Sequence, residues 1–253
     1  MLERCLRNLA SVTVDCEIVV VDDASPDDLR QVVNAAGDAR IRFFRNPKNL
    51  GIPGNFNRAL AEARGTYVCM LGDDDQFLPG NFEKKLAVLE ANPHVGFVYS
   101  PWNAVTPEGR VVYSRLAAHP QQSYIGGRRE FMDLFTGNYI NLAAIVFRRS
   151  LLEKHGAFDE RLTTLCDWDM FLRWSRQTET AYLAEALATV LVHDDSDTAR
   201  RGLQEQRFAK EKLAVWRKWL IEQQPSLVID DETWLRMAQF FSADLSHWFG
   251  SDT

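Results

Sequence analysis

The sequence predicts a doubly wound α/β fold with a mostly parallel sheet, and three observations carry that prediction. Short, wholly apolar runs recur at Val19 to Val21, Tyr67 to Leu71 and Val95 to Tyr99. Such runs, without polar alternation, fit strands covered on both faces. Segments of helical periodicity separate them. Two of the runs end directly in acid, Asp22-Asp23 and Asp73-Asp74-Asp75. Ligands of open α/β sheets lie beyond the carboxyl ends of strands, so these acids also mark where chemistry is expected.

Each element follows from local chemistry. Met1 to Leu9 reads as a helix with Leu2, Leu6 and Leu9 on one stripe, and Glu17 to Val21 as a buried strand. Ser25-Pro26 opens a helix over Asp27 to Ala36, and Ile41 to Arg45 is a second strand. Asn46 to Gly54, rich in Asn, Pro and Gly, reads as a loop, followed by a helix from Asn55 to Arg64 that Gly65 stops. After the strand into the acidic triplet come a helix over Asn81 to Ala91 and a strand over Val95 to Tyr99. Pro107-Glu108-Gly109 suggests a hairpin whose second strand is Arg110 to Ser114, and Phe131 to Phe135 looks helical. Leu142 to Phe147 is a strand candidate, Asp167 to Arg176 a helix, and Ala188 to Val192 a strand. Residues 200–224 and 231–249 carry two amphipathic helices separated by Pro225. These observations divide the chain into an α/β body, residues 1–197, and a C-terminal helical extension, residues 198–253.

Composition narrows the function classes. The hydrophobic share is 46% and the charged share 25%, as in an ordinary globular protein. A net charge of -6 leaves no basic excess to neutralise phosphates, which argues against a nucleic-acid partner. Cys5, Cys16, Cys69 and Cys166 show no paired spacing, which fits a reducing, cytoplasmic setting. No apolar run approaches the roughly 18 residues that span a bilayer.

The acidic triplet is the main chemical signal. Three adjacent carboxylates repel one another, and a buried strand that ends in them suits a hard divalent cation with oxygen ligands. A solvated acidic turn is the plainer alternative. Asp22 and Asp23 can likewise serve as a cap for the segment that starts at Ser25. Asp167 or Asp169 can answer the macrodipole of the helix whose first turn they occupy.

Taken in order, VVDDAS, NPKNLGIPGNFNRALAEARGTYV, LGDDDQFLP and CDWDMFLRW resemble the family 2 glycosyltransferases of the GT-A fold, over residues 1–197. That resemblance implies an inverting enzyme that moves a sugar from a nucleotide-diphosphate donor to a hydroxyl acceptor, a glycan or a lipid-linked glycan. By it, Asp23, with Asp22 beside it, contacts the nucleotide base, and Asn49, Gly51 and Asn57 line the nucleotide and phosphate pocket. Phe56 stands where many relatives carry Arg. Spacing from Pro79 makes Asp74 the ligand of Mg²⁺ or Mn²⁺ and Asp73 its neighbour, although strand alternation would group Asp73 with Asp75. Asp75 and His193 complete the expected metal set. Asp167 takes the position of the catalytic base, and Cys166 replaces the usual Glu beside it. A lipid-linked acceptor implies a peripheral position at the inner face of the membrane. Relatives begin with an additional strand ahead of the helix that here starts at Met1, so the resemblance also implies a sheet short of one strand. Two other readings share part of the pattern: a homologue that binds nucleotide sugars without turnover, and a phospho-accepting receiver domain with VVDD as its acidic pocket.

Overall fold

The computed structural model describes residues 1–116, 123–126, 128–193 and 205–223. The chain starts with α1 (Leu2–Ala10), β1 (Ile18–Asp22), α2 (Leu29–Ala36), β2 (Ile41–Arg45) and α3 (Gly51–Glu62). It continues through β3 (Tyr67–Cys69), β4 (Gln76–Phe77), α4 (Asn81–Ala91), β5 (Val95–Tyr99), β6 (Trp102–Val105) and β7 (Val111–Arg115). Next come β8 (Tyr124–Gly126), α5 (Arg128–Thr136), a 3₁₀ turn at Leu142–Ala144, β9 (Ile145–Arg148) and α6 (Ser150–His155). The described chain closes with α7 (Cys166–Gln177), β10 (Glu179–Tyr182), β11 (Ala188–Leu191) and α8 (Glu205–Arg217), which runs on as the π-helical Lys218–Gln223.

The α/β alternation is as the sequence predicts, but the pairing is mixed rather than mostly parallel. β1 and β2 form a parallel pair. A five-stranded sheet runs in the order β3-β9-β5-β10-β8, and a four-stranded sheet in the order β4-β11-β6-β7. Among the described residues only β1–β2, β5–β10 and β6–β11 are parallel. The cause is β9, which enters between β3 and β5 antiparallel to both. The hairpin around Pro107-Gly109 is present as β6–β7. Among the described residues, β1 pairs with β2 alone and β3 with β9 alone.

The starts of α3 and β9 differ from the sequence reading. α3 begins at Gly51, not Asn55, so Gly51-Ile52-Pro53-Gly54 forms its first turn. Pro is tolerated there because the first amides of a helix have no internal partner. Leu142 to Ala144 is a 3₁₀ turn, and the strand starts only at Ile145.

The main core sits between the five-stranded sheet and α7. Phe97, Phe147, Trp168, Phe171 and Trp174 are buried there, and the Phe147 and Trp174 rings lie 4.7 Å apart. The described part of the C-terminal extension joins this core. Trp216 donates from Nε1 to the Phe135 carbonyl at 2.8 Å and meets the Trp168 ring edge-on at 6.0 Å. Trp219 packs against Phe131 at 5.6 Å. The helix read over residues 231–249 lies outside the described residues.

Candidate functional site

The acidic triplet forms a tight turn between β3 and β4, held from one side by α1. Asp75 N donates to the Gly72 carbonyl at 3.3 Å, and Arg4 donates to the Asp74 carbonyl at 2.7 Å. Asn8 brackets Phe77, donating to its carbonyl at 2.9 Å and accepting from its amide at 2.8 Å. The two carboxylates fold back over Gly72, where an added Cβ would lie 2.7 Å from Asp74 Oδ1 and 3.3 Å from Asp75 Oδ2. Gly72→Ala is therefore expected to displace both acids and to lower the melting temperature, by roughly 1–3 kcal/mol of stability, as overpacking does. Differential scanning fluorimetry checks this.

On the other side, β11 runs antiparallel to β4 and delivers its end to the turn. His193 Nε2 lies 3.3 Å from Asp74 Oδ2, and Leu191 N donates to Asp75 Oδ1 at 3.2 Å. Asp74 and His193, remote in sequence, are thus brought together. Asp75 turns to the β11 backbone instead of joining them. Among the described residues no group of three or more His, Cys, Asp or Glu side chains could hold a metal ion. The Asp74–His193 pair supplies one oxygen and one nitrogen donor, and Mg²⁺ or Mn²⁺ needs few protein ligands when phosphates and water fill the rest. The residues fit such an ion on that basis.

The turn carries more negative charge than its surroundings welcome. Burial, with the Asp74 carboxylate second, pushes Asp75 up to about 7, and the same two causes raise Asp73. Asp75 in the unfolded chain ionises near 3.8, so the folded chain holds the extra proton between the two values. Stability then declines as pH rises through that window. Asp75→Asn keeps an acceptor for Leu191 N and removes the charge. It should stabilise the metal-free protein at pH 8 by on the order of 2–4 kcal/mol, with a smaller gain at pH 5. Melting curves of both proteins at the two pH values check this.

The expected nucleotide pocket is a second cluster, at the end of β1. Asp22 is buried, accepts from Ser25 N at 2.9 Å and pairs with Arg45 at 2.6 Å. Asp23 Oδ1 accepts from Asn46 Nδ2 and Leu50 N, each at 2.8 Å, and Oδ2 from Gly51 N at 3.0 Å. It caps α3 across a gap in sequence, whereas Asp22 holds the Ser25 turn. Asn49 joins this group, donating to the Asp23 carbonyl and accepting from Gly51 N. Gly51 has φ +74°, a conformation that favours glycine. Between the two acids' turn residues, Ala24 also holds a positive φ of 58°. Asn57 points away from this cluster. It donates to Phe158 O and Glu160 Oε1 and accepts from Phe158 N, which ties α3 to the 158–160 turn.

Asp167 stands in the first turn of α7 and is half-buried. Its Oδ2 accepts from Asn138 Nδ2 at 3.0 Å and its Oδ1 from Trp168 N at 2.7 Å. Asp169, one turn position on, is fully buried and paired with Arg173 at 3.0 Å and Lys218 at 2.8 Å. Of the two acids, Asp167 alone keeps access to solvent. The loop carrying Asn138 is fixed by Tyr139, whose hydroxyl, with those of Tyr99 and Tyr124, donates to the buried Glu130 carboxyl. The 3₁₀ turn that follows packs Ala143 and Ala144 with Ala188, Leu71 and Trp102, and so joins the Asp167 side to the acidic turn. Arg4, Asn8, Asn46 and Asn138 escape a sequence reading. They are single polar residues whose partners lie far along the chain.

Comparisons with known proteins bear on the family and the fold. The sequence model of the family described as "Glycosyl transferase family 2" matches residues 1–156. The chain is 32% identical over 163 residues to a putative colanic acid biosynthesis glycosyl transferase, WcaA, of Escherichia coli K12, covering 62% of this chain and 54% of that protein. It is 30% identical over 159 residues to the GalNAc(5)-diNAcBac-PP-undecaprenol beta-1,3-glucosyltransferase of Campylobacter jejuni, covering 60% and 49%. The fold is similar to that of residues 1-349 of S. aureus TarS in complex with UDP. The TM-score is 0.67 at 18% identity, over 99% of this chain and 68% of that one. The chain spans 20% to 62% of the length of these and the other curated relatives that it matches.

Proposed function

This chain belongs to glycosyl transferase family 2 and has the GT-A fold, and from that premise we propose an inverting transferase. It moves a sugar from a nucleoside-diphosphate donor to a hydroxyl of a glycan or lipid-linked glycan. The observation that carries this reading is the convergence of Asp74 and His193, 3.3 Å apart at the end of β3. Beside them stands the buried Asp75 carboxyl, whose ionisation a nearby cation would favour.

The acceptor hydroxyl approaches the anomeric carbon from the side opposite the diphosphate, and Asp167 takes its proton as the new bond forms. Asn138 and the Trp168 amide fix the Asp167 carboxylate in one orientation at the start of α7. Asp74 and His193 would hold Mg²⁺ or Mn²⁺, whose charge offsets that of the departing diphosphate. Asp73 lies next to them and turns to the donor's ribose and phosphates. Asp23, Asn49 and Gly51 form the wall toward the base, and Asp23 retains one acceptor position beyond its three bonds. Asn57 supports that wall indirectly, through the 158–160 turn.

The acceptor class follows the Campylobacter relative, whose name describes transfer to an undecaprenol-linked glycan. Among the described residues no helix is long and apolar enough to cross a membrane, so contact with such an acceptor would be at the membrane face. The occupied state of Asp23 favours a second reading, binding without turnover, because a base must share that carboxylate with three amides. A panel of nucleoside-diphosphate sugars with Mn²⁺, beginning with UDP-GlcNAc, the ligand named for one TarS structure, separates the two. Release of nucleoside diphosphate, and a product of inverted anomeric configuration by NMR, support transfer. Binding without release supports the second reading, and no binding overturns both.

A further inference from the structure

The described part of the C-terminal extension grips the helix that carries Asp167, and it does so through charge as well as apolar packing. Leu165, ahead of α7, offers no side-chain cap to the helix's first amides. Glu211 of α8 instead holds the three residues immediately ahead of the helix. Its Oε1 accepts from Thr163 N at 3.2 Å and from Thr163 Oγ1 at 2.6 Å. Its Oε2 accepts from Thr164 N at 2.7 Å and from Leu165 N at 3.0 Å. Burial pushes this carboxyl up, but the bonds from Thr163, Thr164 and Leu165 outweigh burial and hold it below the ordinary range. An anion at a helix start is favoured by the free amides and the macrodipole together.

A second grip lies on the far side of Asp167. Lys218 Nζ, at the end of α8, bridges Asp169 Oδ1 at 2.8 Å and Asp159 Oδ2 at 3.0 Å. Hydrogen bonds from Arg161, and from Lys218 after burial's opposing effect, hold the Asp159 carboxyl well below the usual range, so the bridge is ionic. The chain is therefore held immediately ahead of α7, at residues 163–165, and within its first turn, at residue 169, on either side of Asp167. The family match ends at residue 156, so both grips come from a segment outside it.

We propose that α8 and Lys218 are part of the catalytic apparatus: Glu211 and Lys218 are positioning residues that set the height and rotation of the Asp167 carboxylate. The inference rests on Asp167 as the base. A helix start released from its anion frays, and a misplacement of about 1 Å at a reacting group costs about 10²-fold in rate.

The test uses the full chain, with Glu211→Gln and Lys218→Gln, and the donor that the wild type turns over in the panel above. The expected result is a fall in kcat of about tenfold or more with donor KM within about twofold. Amide exchange at Thr164 and Leu165 should also be faster in Glu211→Gln, while β5 stays protected. Wild-type kcat in both variants, or a loss shared equally between kcat and KM, would overturn the inference and leave the transferase reading intact. If Glu211→Gln does not fold, Lys218→Gln alone decides. If neither folds, the contacts serve stability and the inference falls. A wild type that releases nucleoside diphosphate from no donor removes the base itself, and the inference with it.

Discussion

Asp167→Asn is expected to lower sugar transfer by about 10²- to 10⁴-fold, the range that a positioned general base contributes, while nucleotide affinity stays within about twofold. The substitution keeps the shape of the side chain and an acceptor for Trp168 N, so the start of α7 is undisturbed. What it removes is the only carboxylate of this helix that solvent reaches. Asp169 is the informative control. It is fully buried and paired with both Arg173 and Lys218. Asp169→Asn should therefore appear in melting curves, at about 3–5 kcal/mol, the loss typical of a broken buried pair. Steady-state kinetics and thermal denaturation of the two variants, measured together, distinguish a base from a structural acid.

The second large effect is expected at Asp74. Asp74→Asn replaces a charged oxygen 3.3 Å from His193 by a neutral amide. It should lower Mn²⁺-dependent transfer by about 10²-fold or more, beyond the loss that follows from disturbing an outer-sphere partner. The variant should fold as well as the wild type, because the turn is held by Arg4, Asn8 and Gly72 through backbone atoms rather than through this carboxylate. Like-charge repulsion inside the triplet also falls. Rate measurements across a range of Mn²⁺ concentrations check this, with the wild-type response to metal absent from the variant.

Much of this architecture is legible in the sequence, and the parts that are not share one physical cause. Val95 to Tyr99 and Asn81 to Ala91 occur with the bounds that periodicity predicts, because each element's own pattern decides them. The hairpin at Pro107-Gly109 is equally local. The start of α3 is not local. The Gly51-Ile52-Pro53-Gly54 segment reads as loop until the Asp23 carboxylate, 28 residues earlier, caps it through Gly51 N. Strand direction is also hidden. Nothing within Leu142 to Phe147 says that β9 will enter between β3 and β5 in the opposite sense.

The site shows the same division. The acids at the ends of the first and third strands are visible as acids, yet their separate duties are set by partners far away. Asp22 belongs to Arg45, Asp23 to α3, Asp74 to His193 and Asp75 to Leu191. Asn57 looks like a pocket residue in the sequence because it follows the Asn-x-Gly loop, and among the described residues its side chain bonds to the 158–160 turn. Asn138 and Glu211 carry no local signal. They matter through Asp167 and the amides of residues 163–165, which only the fold brings to them.

Isothermal titration of UDP into the full chain, with and without Mn²⁺, tests most directly the claim that Asp74 and His193 hold a metal against the donor's diphosphate. The account predicts that Mn²⁺ tightens UDP binding to the wild type by about tenfold or more, roughly 1.4 kcal/mol or above, and leaves Asp74→Asn unchanged. Equal affinity with and without the metal, or the same metal-dependent gain in Asp74→Asn, would contradict it.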